Sequence, residues 1–166
     1  MMLPLIAAGI MGAAAPAPVT TDQLANLFIS ACFDGSAQLS AKDAEAVPFD
    51  RLPGSLRSKL IAPDKAQVWR LRSGGESYLY ILDYKGPGQN PQICGLASDT
   101  LAVSPAVDTV AQRVGATVDE HSRGQAVEWW LPEQGYMALA SRLRGYTVLQ
   151  VNQLSDEQRR EASRAR

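Results

Sequence analysis

The chain has few of the residue types that build metal and nucleic-acid sites. Its 166 residues contain one histidine and two cysteines, and lysine and arginine do not outnumber aspartate and glutamate. The formal net charge of -1 excludes the basic excess that binding to a phosphate backbone requires. No spacing of Cys and His supplies the three or four ligands of a metal site. The composition therefore disfavours nucleic acid as a partner and predicts neither a metal nor another cofactor.

Long hydrophobic runs are also missing. Residues 1–17 carry no charge, but their apolar stretch covers only residues 3–11, which is too short to span a bilayer. Small side chains at Gly12 and Ala14 suit a signal peptidase. We predict a signal peptide over residues 1–17, cleaved near Ala14, and a periplasmic or secreted mature protein without a membrane span. Because no basic residue precedes the apolar stretch, a disordered or membrane-anchored N-terminus is the alternative.

The rest of the chain has the size and composition of one domain. With 46% hydrophobic and 20% charged residues, the chain can bury a core of its own. We predict a single α+β domain over residues 18–154. Residues 155–166 are almost wholly polar, which predicts a C-terminal tail that is either a frayed helix or disordered.

The two cysteines, Cys32 and Cys94, are predicted to form one disulfide bond, because exported proteins oxidise paired cysteines. Two buried free thiols are the alternative, and a reactive thiol is a third interpretation. A reactive thiol would need a second cysteine two residues away or a histidine beside the sulfur, and the sequence shows neither.

Helix and strand signals follow one another in a regular order. Thr20, with Gln23 three residues later, is typical of a helix start, and an apolar stripe at helical spacing continues to Cys32. A second helix is predicted from an N-cap at Ser104 to Gly115. Period-2 alternation predicts strands at residues 67–72, 77–84, 92–98, 126–131, 135–143 and 146–152. The predicted fold is α+β in the order α-βββ-α-βββ, an antiparallel sheet of five to six strands with two helices on one face.

The segment between the first helix and the first predicted strand, residues 36–64, shows no strong period. Short helical patterns at residues 40–47 and 53–61 are bounded by prolines, which break helices. We therefore predict that this segment covers part of the sheet.

The order of elements occurs twice along the chain. Each half begins with a helix and continues with three strands, and the first strand of each half contains a tryptophan, Trp69 or Trp129. An internal duplication and a chance repeat of the order both fit this pattern.

One combination of residues resembles a known group of proteins. A helix that carries Cys32, a hairpin led by Trp69, and Cys-Gly-Leu at residues 94–96 before a second helix resemble small uncharacterised secreted proteins of Gram-negative bacteria. The resemblance spans most of the mature chain. It implies an exported location and a disulfide bond, and it implies no activity because those proteins have none assigned.

Alternation along the strands divides their side chains between two faces of the sheet. One set is predicted to face the core: Trp69, Leu71, Leu79, Ile81, Val127, Trp129, Leu131, Met137, Leu139, Leu149 and Val151. The other set, the tyrosine face, contains Arg70, Arg72, Tyr78, Tyr80, Tyr84, Glu128, Trp130, Tyr136, Arg142 and Tyr146. All five tyrosines of the protein belong to this face.

Tyrosine, tryptophan and arginine together are typical of binding surfaces, because they bury a large area and still form hydrogen bonds. We therefore expect a non-enzymatic binding or interaction module of the bacterial cell envelope. Its predicted binding face is Tyr78, Tyr80, Trp130, Tyr146, Arg70, Arg72 and Arg142. The arginines favour a protein, peptide or cell-wall fragment with an anionic group. The alternative is that residues 36–64 cover this face and make the tyrosines a second apolar layer.

An enzymatic alternative depends on the single histidine. His121 follows Asp119 and Glu120, which suggests a small periplasmic hydrolase. Neighbours along a loop do not form a catalytic triad by themselves, because the carboxylate and the nucleophile must reach opposite nitrogens of the imidazole ring. A solvated polar loop explains the same residues without catalysis.

Overall fold

The computed structural model describes residues 19–72, 75–118 and 126–164, and within these ranges the fold is α+β with seven strands and four α-helices. The helices are α1 (Thr21–Cys32), α2 (Gly54–Arg57), α3 (Val103–Val114) and α4 (Asp156–Arg164). The strands are β1 (Ala44–Val47), β2 (Lys65–Arg72), β3 (Glu76–Asp83), β4 (Gln92–Ser98), β5 (Val127–Leu131), β6 (Tyr136–Leu143) and β7 (Tyr146–Gln153). Among these helices, none combines the length and the hydropathy of a membrane span.

All seven strands form one antiparallel sheet in the order β1-β2-β3-β4-β7-β6-β5. Strands β2, β3 and β4 make one meander and β5, β6 and β7 make a second, because short connections favour pairing between consecutive antiparallel strands. The two meanders meet where β4 pairs with β7. Because β4 and β7 are antiparallel, a rotation of 180° about an axis perpendicular to the sheet places the first meander on the second. This arrangement agrees with the repeated order of elements in the sequence.

The first helix begins where its capping residues predict. The Gln23 backbone N–H donates to Thr20 Oγ1, and the Thr20 N–H donates to the Gln23 side chain at 2.8 Å. Helix α3 begins earlier than the predicted N-cap at Ser104, because Val103 is buried in the core and extends the helix. It ends as predicted at Gly115, whose φ of 70° is left-handed.

Helices α1 and α3 pack side by side on one face of the sheet, which we call the helix face. The prediction of two helices on one face is therefore confirmed for these two. The main core lies between them and the sheet, and its largest members include Leu24, Phe28, Leu79, Leu96, Val107, Val110, Trp129 and Leu149. Two further helices lie elsewhere: α2 belongs to a second apolar cluster, and α4 contacts the 3-10 turn at residues 132–134.

The predicted disulfide is present. Cys32 at the end of α1 bonds to Cys94 in β4, with 5.4 Å between their α-carbons. The bond joins the helix face to a central strand of the sheet. It closes a loop of 62 residues, for which the chain-entropy model gives a stabilisation of about 4 kcal/mol.

One predicted segment differs in the structure, and one alternative that the sequence left open is decided. Residues 44–47 form the edge strand β1 rather than part of a helix, and they pair with β2, with Ala44 opposite Leu71. This pairing satisfies backbone groups of β2 that would otherwise lie at the sheet edge, and it raises the number of strands from the expected five or six to seven. Residues 156–164 form α4, which settles the choice between helix and disorder for that part of the tail.

The two faces of β6 are the reverse of the prediction. Ala138 and Ala140 face the helices, whereas Met137 and Leu139 point to the opposite face. Helix α3 packs against β6, and alanine side chains allow a helix to approach a strand closely. Tyr136 and Arg142 consequently have the same parity as these alanines and do not belong to the tyrosine face.

Candidate functional site

The face of the sheet opposite α1 and α3, the second face, is partly covered. A covering segment, residues 49–61, contains α2 and packs on β2 and β3 through Leu52 and Leu56. Together they form a second core: Leu52, Leu56, Val68, Tyr78, Tyr80, Leu82, Tyr84, Ala97 and Val148. The prediction that part of residues 36–64 covers the sheet is therefore correct for residues 49–61.

Burial changes the interpretation of the tyrosine face. Tyr78 is 7% exposed and Tyr80 is 0% exposed, so a partner cannot reach either ring. Burial raises the pKa of the Tyr80 hydroxyl. Tyr146 is half-buried and donates its hydroxyl hydrogen to Glu76, and this hydrogen bond is the main cause of its raised pKa. The expected single accessible aromatic face is thus corrected to a covered layer over β2 and β3.

The predicted arginines do not converge on one place. Arg70 and Arg72 are exposed on β2, where their cross-strand neighbours include Glu45 and Glu76. Arg142 points to the helix face. Because acidic residues accompany the two arginines that remain on the second face, their surroundings do not favour an anionic partner.

Trp130 is the exposed aromatic side chain of the second face, with 49% of its surface accessible. It lies on β5 opposite Met137 of β6. Trp130, Met137, Leu139 and Glu128 form the open half of the second face and belong to neither apolar core.

Between the covered and open halves lies a cavity of about 290 Å³. It occupies the end of the sheet where β3 and β7 finish and β4 begins. Its walls come from the covering segment, the loop before β4 and helix α4. The lining residues are Lys59, Leu60, Ile61, Tyr84, Gly88, Gln89, Asn90, Ile93, Gln150, Asn152 and Gln158. Five of these side chains are amides, and none is a carboxylate.

Hydrogen bonds fix the wall that the covering segment provides. The Tyr84 hydroxyl donates to the Ile61 carbonyl at 3.0 Å, and the Lys85 N–H donates to Asp64 Oδ2 at 2.8 Å. Burial raises the pKa of the Tyr84 hydroxyl above its usual value. The end of the covering segment, and Asp64 shortly after it, are therefore attached to the chain at the end of β3.

A chain of buried hydrogen bonds orders the cavity floor. The Tyr80 hydroxyl donates to Gln150 Oε1 at 2.8 Å, and Gln150 Nε2 donates to Asn152 Oδ1 at 2.7 Å. The Tyr80 ring lies over Gly95, where an added Cβ would come within 2.3 Å of the ring. The second core and the cavity floor are thus connected through one tyrosine that requires a glycine beneath it.

One fully buried side-chain oxygen of the cavity lining has no partner among the described residues. The Asn90 side-chain oxygen is buried and accepts no hydrogen bond from any described residue. Most buried polar atoms in native proteins are hydrogen-bonded, and leaving an acceptor bare costs about 1–3 kcal/mol. Asn90 is therefore a position where a bound molecule with a hydrogen-bond donor would add stability.

The amides that line this cavity are not among the site residues that the sequence predicts. Gln150 and Asn152 share one face of a strand whose neighbouring residues are mostly apolar, and two amides two residues apart in such a strand are a recognisable signal. Asn90 and Gln158 lie in a loop and a polar tail, where amides are common, so no comparable signal marks them.

The residues of the enzymatic alternative, Asp119, Glu120 and His121, lie outside the described residues. Within the described ranges, no three side chains of His, Cys, Asp or Glu come together in a group suited to a metal.

The chain matches no protein-family model, no curated protein and no solved structure.

Proposed function

We propose that the protein is a non-enzymatic binding module of the bacterial cell envelope that holds a small uncharged polar molecule in the amide-lined cavity. The observation that carries this proposal is the buried, unpartnered oxygen of Asn90 at the cavity wall. A cavity with a few converging polar groups and an apolar wall is the usual form of a small-molecule site.

The lining side chains favour an uncharged ligand. Lys59 is the one lining residue that is charged at neutral pH, and its side chain is exposed to solvent. A buried charge on the ligand would therefore lack an opposite charge inside the cavity, and unpaired buried charges are costly. Amide groups offer both donors and acceptors, which suits hydroxyl or amide groups on a ligand.

Export is a separate part of the proposal. It is supported by the signal-peptide pattern of residues 1–17 and by the Cys32–Cys94 disulfide, because disulfides persist mainly in oxidising compartments. N-terminal sequencing of protein recovered from the periplasm or medium should begin near Ala15. Recovery of a chain that begins at Met1 or Met2 would contradict cleavage.

The cavity is tested by observing its side-chain amide groups by NMR. Glycerol, glucose, N-acetylglucosamine and N-acetylalanine methylamide are titrated separately to concentrations on the order of 10 mM. At least one probe should shift the side-chain N–H signals of Asn152 and Gln158, while the exposed Asn26 on α1 stays unchanged. If all four probes leave the cavity amides unmoved, the proposed small-molecule site is wrong.

A further inference from the structure

The hydrogen bonds in the cavity floor set the polarity that a ligand meets. Asn152 Oδ1 is occupied by Gln150 Nε2, so the Asn152 side chain is left with its Nδ2 hydrogens as donors. The Asn152 amide nitrogen donates to no described residue, and the side chain lines the cavity. The floor therefore offers a donor.

Helix α4 presents a second donor. Its N-terminal capping box uses Ser155 and Gln158: the Ser155 N–H donates to Gln158 Oε1 at 2.8 Å, and the Gln158 N–H donates to Ser155 Oγ at 3.2 Å. Because the cap occupies the Gln158 oxygen, its Nε2 hydrogens are left to donate toward the cavity that this side chain lines.

The opposite polarity comes from Asn90, whose buried Oδ1 needs a donor. Leu60, Ile61 and Ile93 add an apolar wall, and Ile61 is 62% exposed. A site with two donors, one acceptor and an apolar wall matches a secondary acetamide. The N–H of an acetamide donates, its carbonyl accepts two hydrogen bonds, and its methyl group contacts apolar side chains.

Other small groups match this set less well. An ionised carboxylate only accepts, so it would leave the Asn90 oxygen bare. An ammonium only donates, so it would leave the Asn152 and Gln158 donors without acceptors. A hydroxyl can donate and accept, but it has no apolar part for the wall formed by Leu60 and Ile61.

A row of side chains leads from the cavity to Trp130. Cross-strand pairing places Ile93 of β4, Asn152 of β7, Met137 of β6 and Trp130 of β5 next to one another in one line across the second face. Adjacent strands are about 4.8 Å apart, so Trp130 lies roughly 10 Å from Asn152. An exposed indole at this distance is within reach of a second ring attached to a group in the cavity.

We propose that the cavity takes the acetamido group of an N-acetylated amino sugar and that Trp130 receives the apolar face of the neighbouring sugar ring. This inference rests on the proposed function, and it adds the ligand class and the contribution of the open half. The two features that carry it are the donor and acceptor pattern of three amides and the row that connects them to Trp130.

The test compares two disaccharides of the same ring scaffold by isothermal titration calorimetry and NMR. N,N′-diacetylchitobiose carries acetamido groups, and cellobiose carries hydroxyl groups in their place. We expect cellobiose to bind at least about tenfold more weakly, since it lacks the group that pairs with Asn90. N-acetylalanine methylamide supplies acetamide without a sugar ring and should also bind at least about tenfold more weakly than the disaccharide.

Two variants connect binding to the named residues. Gln158→Glu keeps the oxygen that caps α4 but removes the amide donors, so α4 should remain folded while affinity for diacetylchitobiose falls about tenfold. Gln112→Glu makes the same chemical change on an exposed part of α3 and should leave affinity unchanged. Trp130→Ala should weaken disaccharide binding about tenfold and leave N-acetylalanine methylamide unaffected.

Each other result has a defined meaning. Equal binding of cellobiose, or unchanged affinity in Gln158→Glu, would overturn the acetamide assignment. Binding of N-acetylalanine methylamide as tightly as the disaccharide would overturn the sugar assignment and indicate a peptide source. If glycerol or glucose shifts the cavity amides and diacetylchitobiose does not, the inference is wrong and the proposed function stands. If none of these molecules shifts them, both are wrong.

Discussion

The covered and open halves of the second face carry similar aromatic side chains and differ in what lies over them. Tyr78 and Tyr80 are buried beneath Leu52 and Leu56, whereas Trp130 keeps 49% of its surface exposed. Strand alternation assigns all three aromatic side chains to one face. Alternation determines on which face of the sheet a strand residue lies. The segment that packs on that face determines whether the side chain is accessible.

The covering segment explains the difference. Leu52 lies two residues before α2 and Leu56 lies within it, and both side chains are buried in the second core. Directly after β3, the Tyr84 hydroxyl donates to the Ile61 carbonyl and so attaches the end of this segment. The open half has no comparable attachment among the described residues, and it continues into the cavity instead.

The largest expected loss of stability comes from replacing a buried aromatic residue of the covered half with alanine. The matching replacement in the open half should cost much less. Tyr80→Ala removes a fully buried ring and leaves Gln150 Oε1 without its donor, so it should lower the free energy of unfolding by about 3–5 kcal/mol. Trp130→Ala should lower it by less than about 1 kcal/mol, since the indole is half exposed. Urea unfolding followed by circular dichroism measures both values.

The same pair of variants can contradict the comparison. If Trp130→Ala destabilised the protein as much as Tyr80→Ala, the open half would be a third core rather than a surface. If Tyr80→Ala had little effect, the covering segment would not form a packed layer in solution.

Much of the fold follows from local sequence signals. The Thr20 capping box, the apolar stripe of α1, the stop at Gly115 and the strand Gln92–Ser98 lie where the sequence predicts them. Each of these depends on residues within a few positions of one another. Strand β1 and the faces of β6 were predicted wrongly, because they depend on pairing with β2 and on the close approach of α3.

The candidate site was less accessible to prediction than the fold. Gln150 and Asn152 could have been noticed as amides on one face of an apolar strand. Asn90 and Gln158 reach the same cavity from segments that are about 70 residues apart in the chain, and no local pattern brings them together. Strand parity alone places three arginines on one face, but Arg142 lies on the helix face because the faces of β6 are the reverse of the prediction.

Removing the disulfide should reveal whether the covered and open halves unfold together. The double variant Cys32→Ala with Cys94→Ala should lower the free energy of unfolding by about 2–4 kcal/mol. Because β4 and β7 join the two meanders, hydrogen exchange should rise together in β3 and in β6. Exchange that rises in only one meander would show that the two halves are separate folding units.

A smaller effect is expected from Gly95→Ala, which acts where the covered half meets the cavity. The added Cβ would lie 2.3 Å from the Tyr80 ring, so the ring must move, at a cost of about 1–3 kcal/mol. The movement should also shift the side-chain NMR signals of Gln150 and Asn152, and it should leave Trp130 unchanged. Gly54→Ala is the control, because an added Cβ there meets nothing within 4 Å. If the amide signals did not move in Gly95→Ala, the second core and the cavity would not be structurally coupled.

The smallest effect at neutral pH is expected from Tyr80→Phe, which keeps the ring and removes one hydrogen bond to Gln150. The loss should be about 1 kcal/mol at pH 7. Burial raises the pKa of Tyr80 in the folded state above its usual value of 10, so the folded protein holds this proton more tightly than the unfolded chain does. The stabilisation that the proton gives is complete below pH 10 and is lost as pH rises above that value.

Tyr80→Phe cannot lose this proton, so its free energy of unfolding should decline less steeply above pH 10 than that of the natural protein. Each pH unit between the unfolded and folded pKa values is worth about 1.4 kcal/mol, so the advantage of the natural protein over Tyr80→Phe should shrink between pH 10 and pH 11. Urea unfolding at pH 7, 9, 10 and 11 measures the difference, with Val107→Ala in the main core as a control whose cost should not vary with pH. If the free energies of unfolding of Tyr80→Phe and of the natural protein changed in parallel with pH, water would reach the Tyr80 hydroxyl. The contrast between the covered and open halves would then not hold at this residue.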